Sequence, residues 1–276
     1  MIRLLAIVLF ACACFNLHAQ VNIITTIAGN DTAGYCCDNG LGVNAKLKSP
    51  QTLCLDRLGN LYFTDAGNNR VRKISLATGI GTTIAGNGNP GYSGDDIPAT
   101  NASLFIPTGI AVDSIGNVYI GDVLNNRVRK VNASTGIITT VVGNGIAGNS
   151  GDGGLAISAK VKAVVGMHID KWGNMYIADS ENETVRKINA TTGIITTVAG
   201  NGIAGYAGDG GAATNASLSD PGQPFIDTMG NIILTDIEAH VIRKVDATTG
   251  IITTIAGNGL QGYFGNGGLA ASSQMY

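Results

Sequence analysis

PTGIAVDSIGNVYIGDVLNNRVRKV, Pro107 to Val131, decides the fold. Gly109-Ile110-Ala111-Val112-Asp113 is a short apolar run ended by an acid, which reads as a strand, a. Ser114-Ile115-Gly116-Asn117 supplies turn chemistry. Val118-Tyr119-Ile120 is strand b, closed by Asp122, and Leu124-Asn125-Asn126 is the next turn. Arg127-Val128-Arg129-Lys130-Val131 alternates polar and apolar residues, which predicts a strand c with one solvated face. Just beyond, Ser134-Thr135-Gly136 turns the chain again and Ile137 to Val142 is strand d. Four short strands joined by tight turns form an antiparallel meander.

The same unit returns every 57 residues without slippage. Ile24-Thr25-Thr26-Ile27-Ala28-Gly29-Asn30 recurs from Gly81, Ile138, Ile195 and Ile252. Asp56, Asp113, Asp170 and Asp227 share one position, and Asp65, Asp122, Asp179 and Asp236 another. Arg72-Lys73, Arg129-Lys130, Arg186-Lys187 and Arg243-Lys244 share a third. One meander cannot bury both its faces, whereas radial repetition lets neighbouring sheets cover each other. The expectation is an all-β fold: a β-propeller of four-stranded antiparallel blades at 50–85, 107–142, 164–199 and 221–256. Val21 to Ala28 repeats strand d with no a–b–c set before it, and 257–276 begins a fifth repeat. Propellers close by completing one blade from both chain ends, so four full blades plus an orphan outer strand read as a fragment of a larger ring.

A compact four-stranded blade takes roughly 40–45 residues. The excess here lies between strands d and a, where a connection this long carries structure or function. Its second half, Pro98 to Leu104, predicts one or two helical turns with Pro98 at the start. Leu47, Leu104, Val161 and Leu218 recur there as its apolar anchor.

Pro107 to Val131 resembles an NHL repeat, and Pro50 to Ile74 and Val164 to Ile188 are similar to it. Pro221 to Val245 is a weaker copy, with Gln223-Pro224-Phe225 replacing Gly-Ile-Ala and Ala239-His240-Val241 replacing Asn-Asn-Arg. The resemblance implies a propeller, typically six-bladed, and no single activity, because the family includes protein-binding, RNA-binding and lyase members.

Bulk composition agrees with a folded, turn-rich chain: 45% of the 276 residues are hydrophobic, 13% are charged, and 40 are glycine. Met1 to Gln20 differs, with Arg3 as its one charge, an apolar run from Leu4 to Phe15, and Ala19 before Gln20. That pattern predicts a signal peptide over residues 1–19 and a secreted or periplasmic protein. Leu9-Phe10-Ala11-Cys12 offers a lipobox reading, hence a lipid anchor, as the minor alternative. No other segment is suited to cross a membrane. The net charge of −2 gives no electrostatic footprint for nucleic acid. Beyond the leader the cysteines are Cys36, Cys37 and Cys54. One disulfide plus a free thiol fits that odd count, although the adjacent Cys36 and Cys37 are strained partners.

Chemistry is sparse. The repeated Asp and Arg rows read as hairpin scaffolding, through Asp-capped turns and Asp–Arg pairing, because they recur in every copy while sites break symmetry. Asp95, Asp152 and Asp209 in the Gly-rich loops are weak calcium candidates, set against a local Gly-Asp turn. No catalytic residue, metal site or other cofactor is assigned. His168 takes the strand position held elsewhere by Cys54, Ala111 and Phe225, and His240 sits in a b–c turn. Trp172 lies in an a–b turn, where an exposed aromatic can anchor a partner. These three residues break the repeat and are the candidate binding surface. The expected function is a non-catalytic extracytoplasmic binding or scaffold propeller, monomeric if its ring is complete, for a protein or carbohydrate ligand. The alternative is a metal-dependent propeller hydrolase or lyase, lactonase-like or amidating-lyase-like. A lactonase-like site would need Glu, Asn and Asp converging on a central metal, and the glutamates beyond the leader, Glu181, Glu183 and Glu238, all lie in b–c turns, which argues against it.

Overall fold

The computed structural model describes residues 24–276, so the signal-peptide reading lies outside the described residues. Four antiparallel sheets follow one another as the blades of a β-propeller. The first holds β1 (Gly40–Leu41), β2 (Pro50–Leu55), β3 (Asn60–Asp65), β4 (Arg70–Ser75) and β5 (Ile80–Ala85). The second holds β6 (Ile97–Pro98), β7 (Pro107–Val112), β8 (Val118–Asp122), β9 (Arg127–Val131) and β10 (Ile137–Val142). The third holds β11 (Val164–Ile169), β12 (Met175–Asp179), β13 (Thr184–Ile188) and β14 (Ile195–Ala199). The fourth holds β15 (Pro221–Ile226), β16 (Ile232–Asp236), β17 (Val241–Val245) and β18 (Ile252–Ala256). Each sheet contains the antiparallel a–b–c–d order expected from the sequence.

The connector does more than link. In the first two blades it adds a short fifth strand, with β1 pairing on β5 and β6 on β10. In the third and fourth the same place is held by single bridges, Leu155 to Ile194 and Ala212 to Ile251. Its helical portion is one three-residue 3-10 turn, as at Ala99–Asn101, after which Leu104, Val161 and Leu218 plug fully into the core and Leu47 is half-buried. Each plug closes a cluster between two blades. Leu104, for instance, packs with Tyr62 and Val71 of one sheet and Ile110 and Ile120 of the next.

One expectation is corrected here. Strand c has no solvated face at its second arginine: Arg72, Arg129, Arg186 and Arg243 are among the most buried side chains of the molecule. The alternation is real, but both faces of the strand are covered, one by a neighbouring blade and one by a connector. Of Val21 to Ala28, by sequence a strand d, residues 24–28 form no strand, and among the described residues they pair with none.

β2, β7, β11 and β15 pack side by side in that order, and among the described residues no such packing joins the fourth blade to the first. The exposure follows. Leu53 in β2 is 65% exposed, whereas its repeat equivalents Ile110 and Met167 are 2% and 1% exposed. On the far flank Phe225, Ile237 and Ile255 are open to solvent.

Candidate functional site

The repeated acids are occupied in holding the blades. In each a–b turn one Asp oxygen takes two backbone amides and the other takes an Asn amide. Asp113 Oδ1 accepts from Ile115 N (3.1 Å) and Asn117 N (2.9 Å), and its Oδ2 from Asn117 Nδ2 (2.7 Å). Asp56, Asp170 and Asp227 repeat this arrangement. Each buried Arg then lies between two carboxylates. Arg186 Nη2 is 2.6 Å from Asp152 Oδ1, and its Nη1 is 3.4 Å from Asp179 Oδ2. Arg243 does the same with Asp209 at 2.7 Å and Asp236 at 3.4 Å, and Arg129 with Asp95 at 3.0 Å and Asp122 at 3.5 Å. Asp95, Asp152 and Asp209 therefore do not form the local turn expected of a Gly-Asp pair. They reach an arginine 34 residues on, and also Thr140 Oγ1, Thr197 N and Thr254 N of strand d. Period and spacing give no sign of that contact, because it is made only when the connector folds back over the sheet.

The two carboxyls around Arg186, and likewise those around Arg243, differ in acidity. Asp152 and Asp209 are half-open to water and lie against the guanidinium and backbone donors, which hold them below the usual carboxylate range despite partial desolvation. Burial pushes Asp179 and Asp236 up to about 6, because the more distant guanidinium only partly offsets desolvation.

The exposed chemistry lies at the two ends of the blades. On the end formed by the a–b and c–d turns, one repeat position carries Leu58, Ile115, Trp172 and Met229, all exposed and all large and apolar. Grooves lie under these residues between the first and second blades and between the third and fourth. Between the third and fourth the groove measures about 520 Å³ and is walled by Trp172, Tyr176, Met229, Ile232 and Lys187. The equivalent groove between the first and second, about 380 Å³, presents Leu58 and Ile115 instead. The Tyr–Lys pair repeats, with Lys187 Nζ 5.5 Å from the Tyr176 ring and Lys73 Nζ 5.4 Å from Tyr62. The Trp–Met pair does not. Trp172, the sole tryptophan, is 59% exposed and its ring is braced by Lys171, whose Nζ is 4.3 Å away and donates to the Thr228 carbonyl of the next blade at 3.1 Å.

The other candidates are dispersed. His168, in β11, is half-buried with its ring edge-on to Phe225 at 5.1 Å, and burial lowers its basicity. His240 stands in a b–c turn at φ 53° and stacks on Tyr276 at 6.2 Å. The glutamates are less scattered than their turns suggest. Glu183 accepts from Asp220 N at 2.7 Å, and the charges of Glu238 and Glu181 add to burial in raising the Asp220 carboxyl. Glu181 also pairs with Lys162 at 2.8 Å. Among the described residues no three His, Cys, Asp or Glu side chains are placed to hold a metal ion together.

The chain is similar to known proteins. Residues 77–148 match the family model described as the teneurin NHL domain. Suppressor of quenching 1, a chloroplast protein of Arabidopsis thaliana, is 26% identical over 236 residues, covering 82% of this chain and 22% of its own length. NHL repeat-containing protein 2 of Bos taurus is 25% identical over 264 residues, covering 85% of this chain and 36% of its own length. This chain thus spans about a fifth to a third of those relatives. An auxiliary nutrient binding protein from Bacteroides ovatus superposes with a TM-score of 0.54 at 15% identity, over 81% of this chain and 51% of that one, a likeness of fold.

Proposed function

We propose that this β-propeller, similar to NHL-repeat proteins, is a non-catalytic binding module working outside the cytoplasm, with its ligand seated in the Trp172 groove. One observation carries the reading. The aspartates and arginines that recur in every blade are held in internal bonds, while the Trp172–Met229 pair departs from the repeat and faces solvent. An exposed indole beside a thioether offers flat apolar contact at little cost in side-chain entropy, and Lys187 and Asp246 add charge at the edge. Such a wall suits the CH face of a sugar or an apolar side chain of a peptide, so the ligand class is carbohydrate or protein. The leader-like residues 1–19 support export.

An array of defined glycans and peptides, read with the wild-type protein and with Trp172→Ala and Met229→Ala, tests this. The expected result is at least one ligand bound by the wild type and about tenfold or more weaker in Trp172→Ala. Binding that both substitutions leave intact would place the site elsewhere on the propeller.

A further inference from the structure

The first connector carries cysteine at two adjacent positions where the other four have none. Cys36 stands where the repeat has Ser93, Ser150, Ala207 and Phe264, and Cys37 where it has Gly94, Gly151, Gly208 and Gly265. Those glycines have φ of 93°, 100°, 93° and 100°, the left-handed region that Gly enters freely. Cys37 has φ 71°, so the chain makes the same turn with a side chain that disfavours it. A disulfide joins Cys36 to Cys37. It closes a small ring that contains the peptide bond between them and so restrains the backbone where glycine is lacking.

What that turn positions is the ion pair of the first blade. Asp38 follows directly, and its Oδ1 lies 2.8 Å from Nη2 of the buried Arg72. Tyr35, on the other side, donates to Asp38 Oδ2 at 2.8 Å and lies under the Arg70 guanidinium at 3.6 Å. Downstream, Asn39 N donates to Gly81 O at 2.8 Å and Gly42 N to Gly79 O at 2.7 Å, seating β1 on the edge of β5. Cys37 is exposed and Cys36 half-exposed, so the bond is open to attack by a thiolate. Cys54 is not a competitor: it is free and sits in β2, with its thiol pushed up to about 12 by burial.

We propose that the Cys36–Cys37 disulfide is a redox latch on the first blade. Oxidised, it holds the left-handed turn and keeps residues 29–48 docked through Asp38 and β1. A dithiol reductant opens it by exchange: the reductant's two thiols become its own disulfide, and the two electrons and two protons pass to Cys36 and Cys37 as thiols. The reduced turn then bears an unrestrained L side chain at positive φ, and the connector undocks more often. Blades two to four, with glycine at this position, do not respond.

Amide hydrogen exchange of Asn39 and Gly42 tests the latch, on oxidised protein and on protein reduced with dithiothreitol, with reduction verified by iodoacetamide labelling of Cys36 and Cys37. The double variant Cys36→Ser/Cys37→Gly restores the sequence of the other connectors and serves as the reference. Exchange in the wild type is expected to rise about tenfold on reduction, the change in population that a left-handed L residue carries. The variant is expected to exchange at the slow oxidised rate under both conditions. Unchanged exchange in verified reduced protein would overturn the proposal. So would a variant that exchanges as fast as the reduced wild type, because the disulfide would then not be substituting for glycine.

Discussion

Arg186 lies buried between two carboxylates. Its guanidinium is fully buried, as is Asp179, while Asp152 reaches solvent. Removing such a cation strands the acids it compensates, and breaking a buried pair from one side costs about 3–5 kcal/mol. Arg186→Leu should lower unfolding stability by that order in urea titration, and Asp152→Asn by less, because its carboxylate can hydrate. The acids also set a pH dependence. Asp179 and Asp236 have folded values near 6, above the ordinary 3.8, so their contribution to stability is full below about pH 4 and fades as pH rises through 6. Asp152 and Asp209 are depressed, so theirs is full above the ordinary value and is lost as pH falls below it. For these four groups together, stability should be greatest near pH 4 and should decline as pH rises from there through about 6. Asp179→Asn/Asp236→Asn should flatten the alkaline side of that profile in denaturant melts, and an unflattened profile would mean that these carboxyls titrate normally.

At the scale of the element, equivalent residues do different work according to what stands beside them. Ile110 and Leu53 occupy the same place in strand a, yet Ile110 is walled in by its neighbouring blade and Leu53 is not. Ile110→Ala should cost about 2–5 kcal/mol, as large-to-small changes in a packed core do. Leu53→Ala should cost under about 1 kcal/mol, as open surface changes do. Equal losses would mean that β2 is covered in solution. This contrast also marks the reach of sequence reading. Strand limits and blade order were legible because turn residues and apolar runs recur at one interval. The burial of Arg129 was not, since an alternating strand looks half-solvated until a connector is known to cover it. The partner of Asp152 was hidden for the same reason: its arginine is distant in sequence. Trp172 was legible as a break in the repeat, but the groove it shares with Met229 arises only when two blades pack.

For the whole molecule, repetition separates scaffold from site. Asp, Arg and Asn recur blade after blade and build the frame, so the residues that differ between blades are the ones left to act. Two places concentrate such differences: the Trp172 groove on one end, and the Cys36–Cys37 turn in the first connector. Because Trp172 is the sole tryptophan, intrinsic fluorescence reports on the proposed site without any label. The most direct measurement titrates the wild-type protein with the tightest ligand found on the array and records Trp172 emission. A saturable change in intensity or wavelength, with the same midpoint as calorimetric binding and weakened about tenfold by Met229→Ala, is the predicted result. Binding that saturates in the calorimeter while the emission stays constant would contradict the account.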